Sequence, residues 1–94
     1  MAGLNALFRS SDDDKVRAWI NVAGSLSITQ CYDCDGYLIR WSEYGVTTQC
    51  GWEIDHAIPT ALGGFDVGHN YRARHWHGNR SAGGRLGNSL SNTR

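Results

Sequence analysis

GWEIDHAIP, residues 51–59, is an apolar, strand-like run that finishes on an acid and an imidazole, Asp55 and His56. Strands bury apolar groups and usually end in turn residues, so two adjacent ionisable groups at such a terminus call for a chemical reason. On a regular strand the two side chains leave opposite faces and cannot duplicate one role. Upstream, Asp35-Gly36 is a turn signal. Tyr37, Ile39 and Trp41 then alternate with Leu38, Arg40 and Ser42, which predicts a strand over 37–42. GVTTQCG (45–51) links it to a second strand, WEIDHAI (52–58), and residues 59–69 follow as a Gly-rich loop. Residues 73–82 read as a short helix ended by Gly83-Gly84. At the other end, SSDDDKVRAWINVAGS (10–25) predicts a helix. Ser11 or Asp12 can cap it, acids fill the first turn, and Val16, Trp19, Ile20 and Ala23 recur at helical spacing before Gly24.

Ninety-four residues make one domain, and 40% hydrophobic content with four Trp and four Tyr suffices for a compact core. Twelve Gly against one Pro point to a loop-rich fold rather than a long-helix bundle, and the strands and helices expected above place it in the α+β class. No apolar run approaches the roughly 18 residues of a membrane span. The N-terminus lacks the basic and apolar regions of a secretory signal. The expectation is a soluble cytoplasmic chain with a domain over 10–84, a flexible N-terminus over 1–9 and a flexible tail over 85–94. Net charge is zero, yet the charges are segregated. Residues 1–66 hold all nine acids and four bases, whereas residues 67–94 hold Arg72, Arg74, Arg80, Arg85 and Arg94 and no acid. Such asymmetry suits a polyanionic partner, and equally a solvated Arg-rich surface.

Hydrolysing a phosphodiester near neutral pH takes a base for the attacking water and positive charge on the phosphate. Asp55 and Asn79 offer oxygen ligands of the kind Mg²⁺ or Mn²⁺ prefers, and His56 offers an imidazole base. His75 and Asn79, four residues apart on the expected helix, would share a face. The ordered set His56, Asn70, Asn79, at intervals of 14 and 9 residues, resembles the signature of the HNH endonucleases. So does its context: GWEIDHAIP before the loop, GGFD within it and HNYRARHWHGNR after it. The similarity spans about residues 31–84.

This resemblance implies a ββα-metal (His-Me finger) core over 31–84, with the N-terminal helix added to it. It implies that Asp55 is a metal ligand and His56 the general base. Asn70 would tie the loop and hold the base, and Asn79 would complete the grip on one divalent ion, Mg²⁺ or Mn²⁺. It further implies DNA as substrate, with RNA left open, and a bacterial or phage setting in which the chain could serve a larger machine. The chain departs from the pattern at Tyr71, where relatives carry Leu, and at Gly78, where they often carry Asn. His75 is an auxiliary candidate for the metal, and Arg72, Arg74 and Arg80 are candidate phosphate contacts. Cys31 and Cys34 form a C-x-x-C before the Asp-Gly turn, half of a zinc knuckle, which Cys50 could extend. Reduced core thiols are favoured over such a structural Zn²⁺. The competing reading is a binding module on the same fold, without catalysis; the sequence specifies no oligomeric state.

Overall fold

The computed structural model describes residues 11–82. The segments expected to be flexible, 1–9 and 85–94, and the Gly83-Gly84 helix end lie outside the described residues. The architecture is mixed α+β, with two helices and two small antiparallel sheets of two strands each among the described residues. No helix among the described residues is long and apolar enough to cross a membrane.

Helix α1 runs Ser11–Ala23, with Asp12, Asp13 and Asp14 in its first turn, where they complement the helix dipole. It stops at Gly24, which takes a φ of +90° and donates its N–H to the Ile20 carbonyl at 2.8 Å. Ala18 and Trp19 are fully buried, with Val22 and Ala23 packed beside them. The expected stripe is therefore rotated: Trp19 and Ala23 face the core, but Ile20 is exposed.

Strands β1 (Gln30–Tyr32) and β2 (Leu38–Arg40) pair in register, Cys31 opposite Ile39. Asp33 organises the turn between them. Its Oδ1 accepts the backbone N–H groups of Asp35 and Tyr37, both at 2.9 Å, and Gly36 supplies the left-handed φ of +84°. The strand expected over 37–42 is shorter because the chain coils into a 3-10 turn at Trp41–Glu43.

Strand β3 (Trp52–His56) pairs with β4 (Tyr71–His75), His56 opposite Tyr71 and Trp52 opposite His75. The helix expected over 73–82 is corrected here. Residues 71–75 are a strand in which Tyr71, Ala73 and His75 are buried, alternating with half-buried Arg72 and Arg74, and the helix (α2) begins at residue 76 and covers the described residues to 82. His75 consequently ends a strand and does not share a helix face with Asn79.

The core lies between α1 and one face of the β3–β4 sheet. Trp19 and Trp52 meet there with ring centroids 5.1 Å apart, and Trp41 and Tyr44 close the cluster at 6.0 and 4.8 Å from Trp52. Asn21 fastens α1 to the start of β4, donating Nδ2 to the Gly68 and Tyr71 carbonyls at 3.1 and 2.8 Å. With one sheet face covered by α1, the charged side chains of β3 and β4 are left to the other, where α2 returns across them.

Candidate functional site

The charged face is built by strand alternation. Glu53 and Asp55 lie two apart on β3, and Arg74 and Arg72 stand opposite them on β4. Arg72 Nε donates to Asp55 Oδ2 at 2.7 Å, and Arg74 Nη1 reaches the same oxygen at 3.3 Å. Arg74 also grips Asp35 with two nitrogens, Nε at 2.8 Å and Nη2 at 3.2 Å, which ties the β1–β2 turn to this face. That grip raises the already high pKa of its guanidinium.

From α2, Asn79 Nδ2 donates to Glu53 Oε1 at 3.1 Å, and Arg80 Nη2 to Glu53 Oε2 at 2.6 Å. The Arg80 bonds, helped by Asn79, hold the Glu53 carboxyl below its ordinary value against the opposing effect of burial. Arg72, Arg74 and Arg80 are thus each paired with a carboxylate of this chain.

Two oxygens on this face accept no hydrogen bond among the described residues: Asp55 Oδ1 and Asn79 Oδ1. They come from residues 24 positions apart, brought to one surface by Glu53, which neighbours Asp55 on β3 and holds the Asn79 amide by its nitrogen. Both are hard oxygen donors. No group of three or more His, Cys, Asp or Glu able to hold a metal occurs among the described residues. The donor chemistry fits a cation that keeps most of its waters and takes one carboxylate and one carbonyl from the protein, which is the habit of Mg²⁺.

His56 leaves β3 on the other face, at the strand's last residue. Its Nε2 lies 3.0 Å from Asp66 Oδ1, and its ring meets Tyr71 edge-on at 5.5 Å. No hydrogen bond joins it to Asp55 or Asn79. Behind it, Asn70 is buried and pins the loop. Its Oδ1 accepts from Ile58 N–H at 2.9 Å, its Nδ2 donates to the Ile58 and Phe65 carbonyls at 3.0 and 2.9 Å, and its own carbonyl accepts from Ala57 N–H at 2.7 Å. Loop 57–70 is therefore closed on the residue that follows the candidate base.

His75 has other partners. Its Nδ1 accepts the His77 N–H at 3.1 Å, so its Nε2 carries the proton and donates to the Gln49 carbonyl at 2.9 Å. Both nitrogens are engaged, and the ring is 5% exposed and stacked on Tyr37 at 4.5 Å; it has no lone pair to give a metal. The cysteines are free thiols, with Cys31 half-buried, Cys34 exposed and Cys50 buried. Burial raises the Cys31 and Cys34 thiols, helped at Cys31 by Asp33 and opposed at Cys34 by Arg72 and Arg74.

Two participants carry no role in the sequence reading. Glu53 orients Asn79, and Asp66 touches His56. Each sits inside a quoted stretch, Glu53 in GWEIDH and Asp66 in GGFD, but only the fold supplies their partners. No protein-family model, curated protein or solved structure matches this chain.

Proposed function

We propose that the chain is a metal-dependent endonuclease of the HNH type, built on a ββα-metal core of β3, β4 and α2, that hydrolyses DNA phosphodiester bonds. The observation that carries this reading is two uncommitted oxygens, Asp55 Oδ1 on the outer face of β3 and Asn79 Oδ1 on α2, which Glu53 ties to that same face, with His56 next to Asp55 in the chain. In this reading Asp55 and Asn79 hold one Mg²⁺ or Mn²⁺, which when bound supplies positive charge to the phosphate. His75 is left out of the set because both its nitrogens are spent.

Asp55 and His56 are the last two residues of β3. A phosphate seated over the end of that strand would meet the carboxylate from one face and the imidazole from the other. His56 then takes the proton of the attacking water, and Asn70 keeps the backbone after it from shifting. Arg80, 58% exposed, is the arginine best placed to exchange its carboxylate for a phosphate. A bacterial cell or infecting phage is the setting the resemblance suggests, and a larger machine would supply sequence specificity.

The second reading, a nucleic-acid- or protein-binding module without catalysis, draws support from Arg72 and Arg74, which neutralise the very carboxylate a metal would use. One experiment separates the two: supercoiled plasmid incubated with the protein and Mg²⁺, Mn²⁺ or EDTA, beside His56→Ala. Metal-dependent nicking that disappears in the variant supports the nuclease. Salt-sensitive binding with no nicking under any metal supports the module.

A further inference from the structure

His56 and Tyr71 are cross-strand partners at the open end of the β3–β4 pair, and both reach for the same atom. Tyr71 donates its hydroxyl to Asp66 Oδ1 at 2.8 Å, and His56 Nε2 lies 3.0 Å from that oxygen. Tyr71 is 5% exposed and fixed in the core, so it gives the loop carboxylate a rigid anchor. Asp66 belongs to the loop that Asn70 closes at Phe65, one residue earlier, so the backbone carrying it is held as well.

We infer that Asp66 is a positioning residue for His56: it fixes the imidazole as the Nε2–H tautomer and leaves Nδ1 as the proton-accepting nitrogen. The chemistry follows from valence. An ionised carboxylate only accepts, so in the neutral ring the nitrogen facing it carries the hydrogen and the other keeps its lone pair. Nδ1 has no hydrogen-bond partner among the described residues, as a base awaiting water requires.

Asp66 itself is 76% exposed on its side chain, so water dilutes the interaction. The likeness to an acid–histidine pair is one of role only, and here the anchor is a tyrosine from the neighbouring strand. The inference rests on the nuclease reading for its purpose, but its geometry is checkable without any turnover.

The test is nitrogen-15 NMR of the His56 ring at a pH where the ring is neutral, with the signal identified by its loss in His56→Ala. Wild type, Asp66→Asn, Asp66→Glu and Tyr71→Phe are compared, together with plasmid-cleavage kinetics. We expect the Nε2–H tautomer in wild type and a shift towards Nδ1–H in Asp66→Asn, whose amide can turn an N–H towards the ring. In the same variant kcat falls about 10–100-fold with KM little changed, the usual size for losing a group that orients an active residue. Asp66→Glu restores part of both, and Tyr71→Phe gives the same change in weaker form. A wild-type ring protonated on Nδ1, or a tautomer indifferent to Asp66→Asn, overturns the inference. Absence of cleavage by wild type with an Asp66-dependent tautomer overturns the nuclease reading and leaves the pairing standing.

Discussion

Asp55 and Arg72 are direct cross-strand partners, and the Arg72 Nε sits 2.7 Å from Asp55 Oδ2. The carboxylate proposed to take a cation is therefore already neutralised by one, and Arg74 adds a second contact at 3.3 Å. Removing the Arg72 charge lessens both direct competition and repulsion. The two effects have the same sign, so Arg72→Gln is expected to bind Mn²⁺ more tightly than wild type. At 29% and 17% side-chain exposure the pair is partly screened, and a gain of about fivefold, or roughly 1 kcal/mol, is the expected size. Asp55→Asn should bind Mn²⁺ far more weakly than either. Calorimetric Mn²⁺ titration measures both; equal affinity in wild type and Asp55→Asn would remove Asp55 from the site.

Asn70 satisfies the Ile58 N–H and the Ile58 and Phe65 carbonyls while itself 7% exposed. Asn70→Ala leaves all three without their partner, and is expected to cost about 2–4 kcal/mol in urea unfolding. Asn70→Asp is the sharper variant. It keeps the acceptor for Ile58 N–H but cannot donate, so it should recover little of the loss. Gly64→Ala tests the same closure from the other side, because a Cβ there would run into the Ile58 carbonyl that Asn70 holds. A loss of about 1–3 kcal/mol is expected, as for overpacking elsewhere.

How far these residues could be read from the sequence depends on the kind of signal each leaves. Helix α1 announces itself through its acidic first turn and its Gly24 stop, both local features. Strand β4 does not. Its inward residues are Tyr71, Ala73 and His75, and only the first is a strong strand former. Ala73 favours helix, and His75 enters the core as a hydrogen-bonded polar ring rather than as an apolar residue. The period of two was therefore hidden, and the spacing of His75 to Asn79 suggested a helical face that the fold does not make. Asp55, His56, Asn70 and Asn79 stood out because they recur at intervals a known pattern uses. Asp66 and Glu53 act through partners 10 and 26 residues away, contacts that loop closure and strand register create.

Trp19 and Trp52 are both fully buried and share one core, but their indole N–H groups fare differently. Trp19 donates to the Ile28 carbonyl at 2.9 Å, whereas Trp52 Nε1 has no partner among the described residues. Replacement by Phe removes similar apolar area at each position. At Trp19 it also strands a carbonyl; at Trp52 it removes a donor that was costing stability. Trp19→Phe is thus expected to be more destabilising than Trp52→Phe by about 1–2 kcal/mol. Urea midpoints of the two variants decide it, and the reverse order would mean that Trp52 Nε1 finds a water.

Glu53 links the site to acid stability. Its carboxyl is held below the ordinary 4.5 by hydrogen bonds from Arg80 first and Asn79 second, with burial opposing. A group whose pKa is depressed on folding contributes stability that is complete above its unfolded value and is lost as pH falls through its folded value. Wild type should therefore exceed Glu53→Gln in stability at pH 7, and the gap should close as pH drops below 4.5. Arg80 lies on the surface, so salt screens its share of the effect and leaves that of Asn79. The contrast between Arg80→Met and Asn79→Ala should accordingly be largest in low salt. Urea midpoints measured from pH 7 to 3 at two salt concentrations provide the check. A gap that stays constant with pH would show that Glu53 is not held as a carboxylate by these partners, and Asn79 would then lose the anchor that turns its oxygen outward.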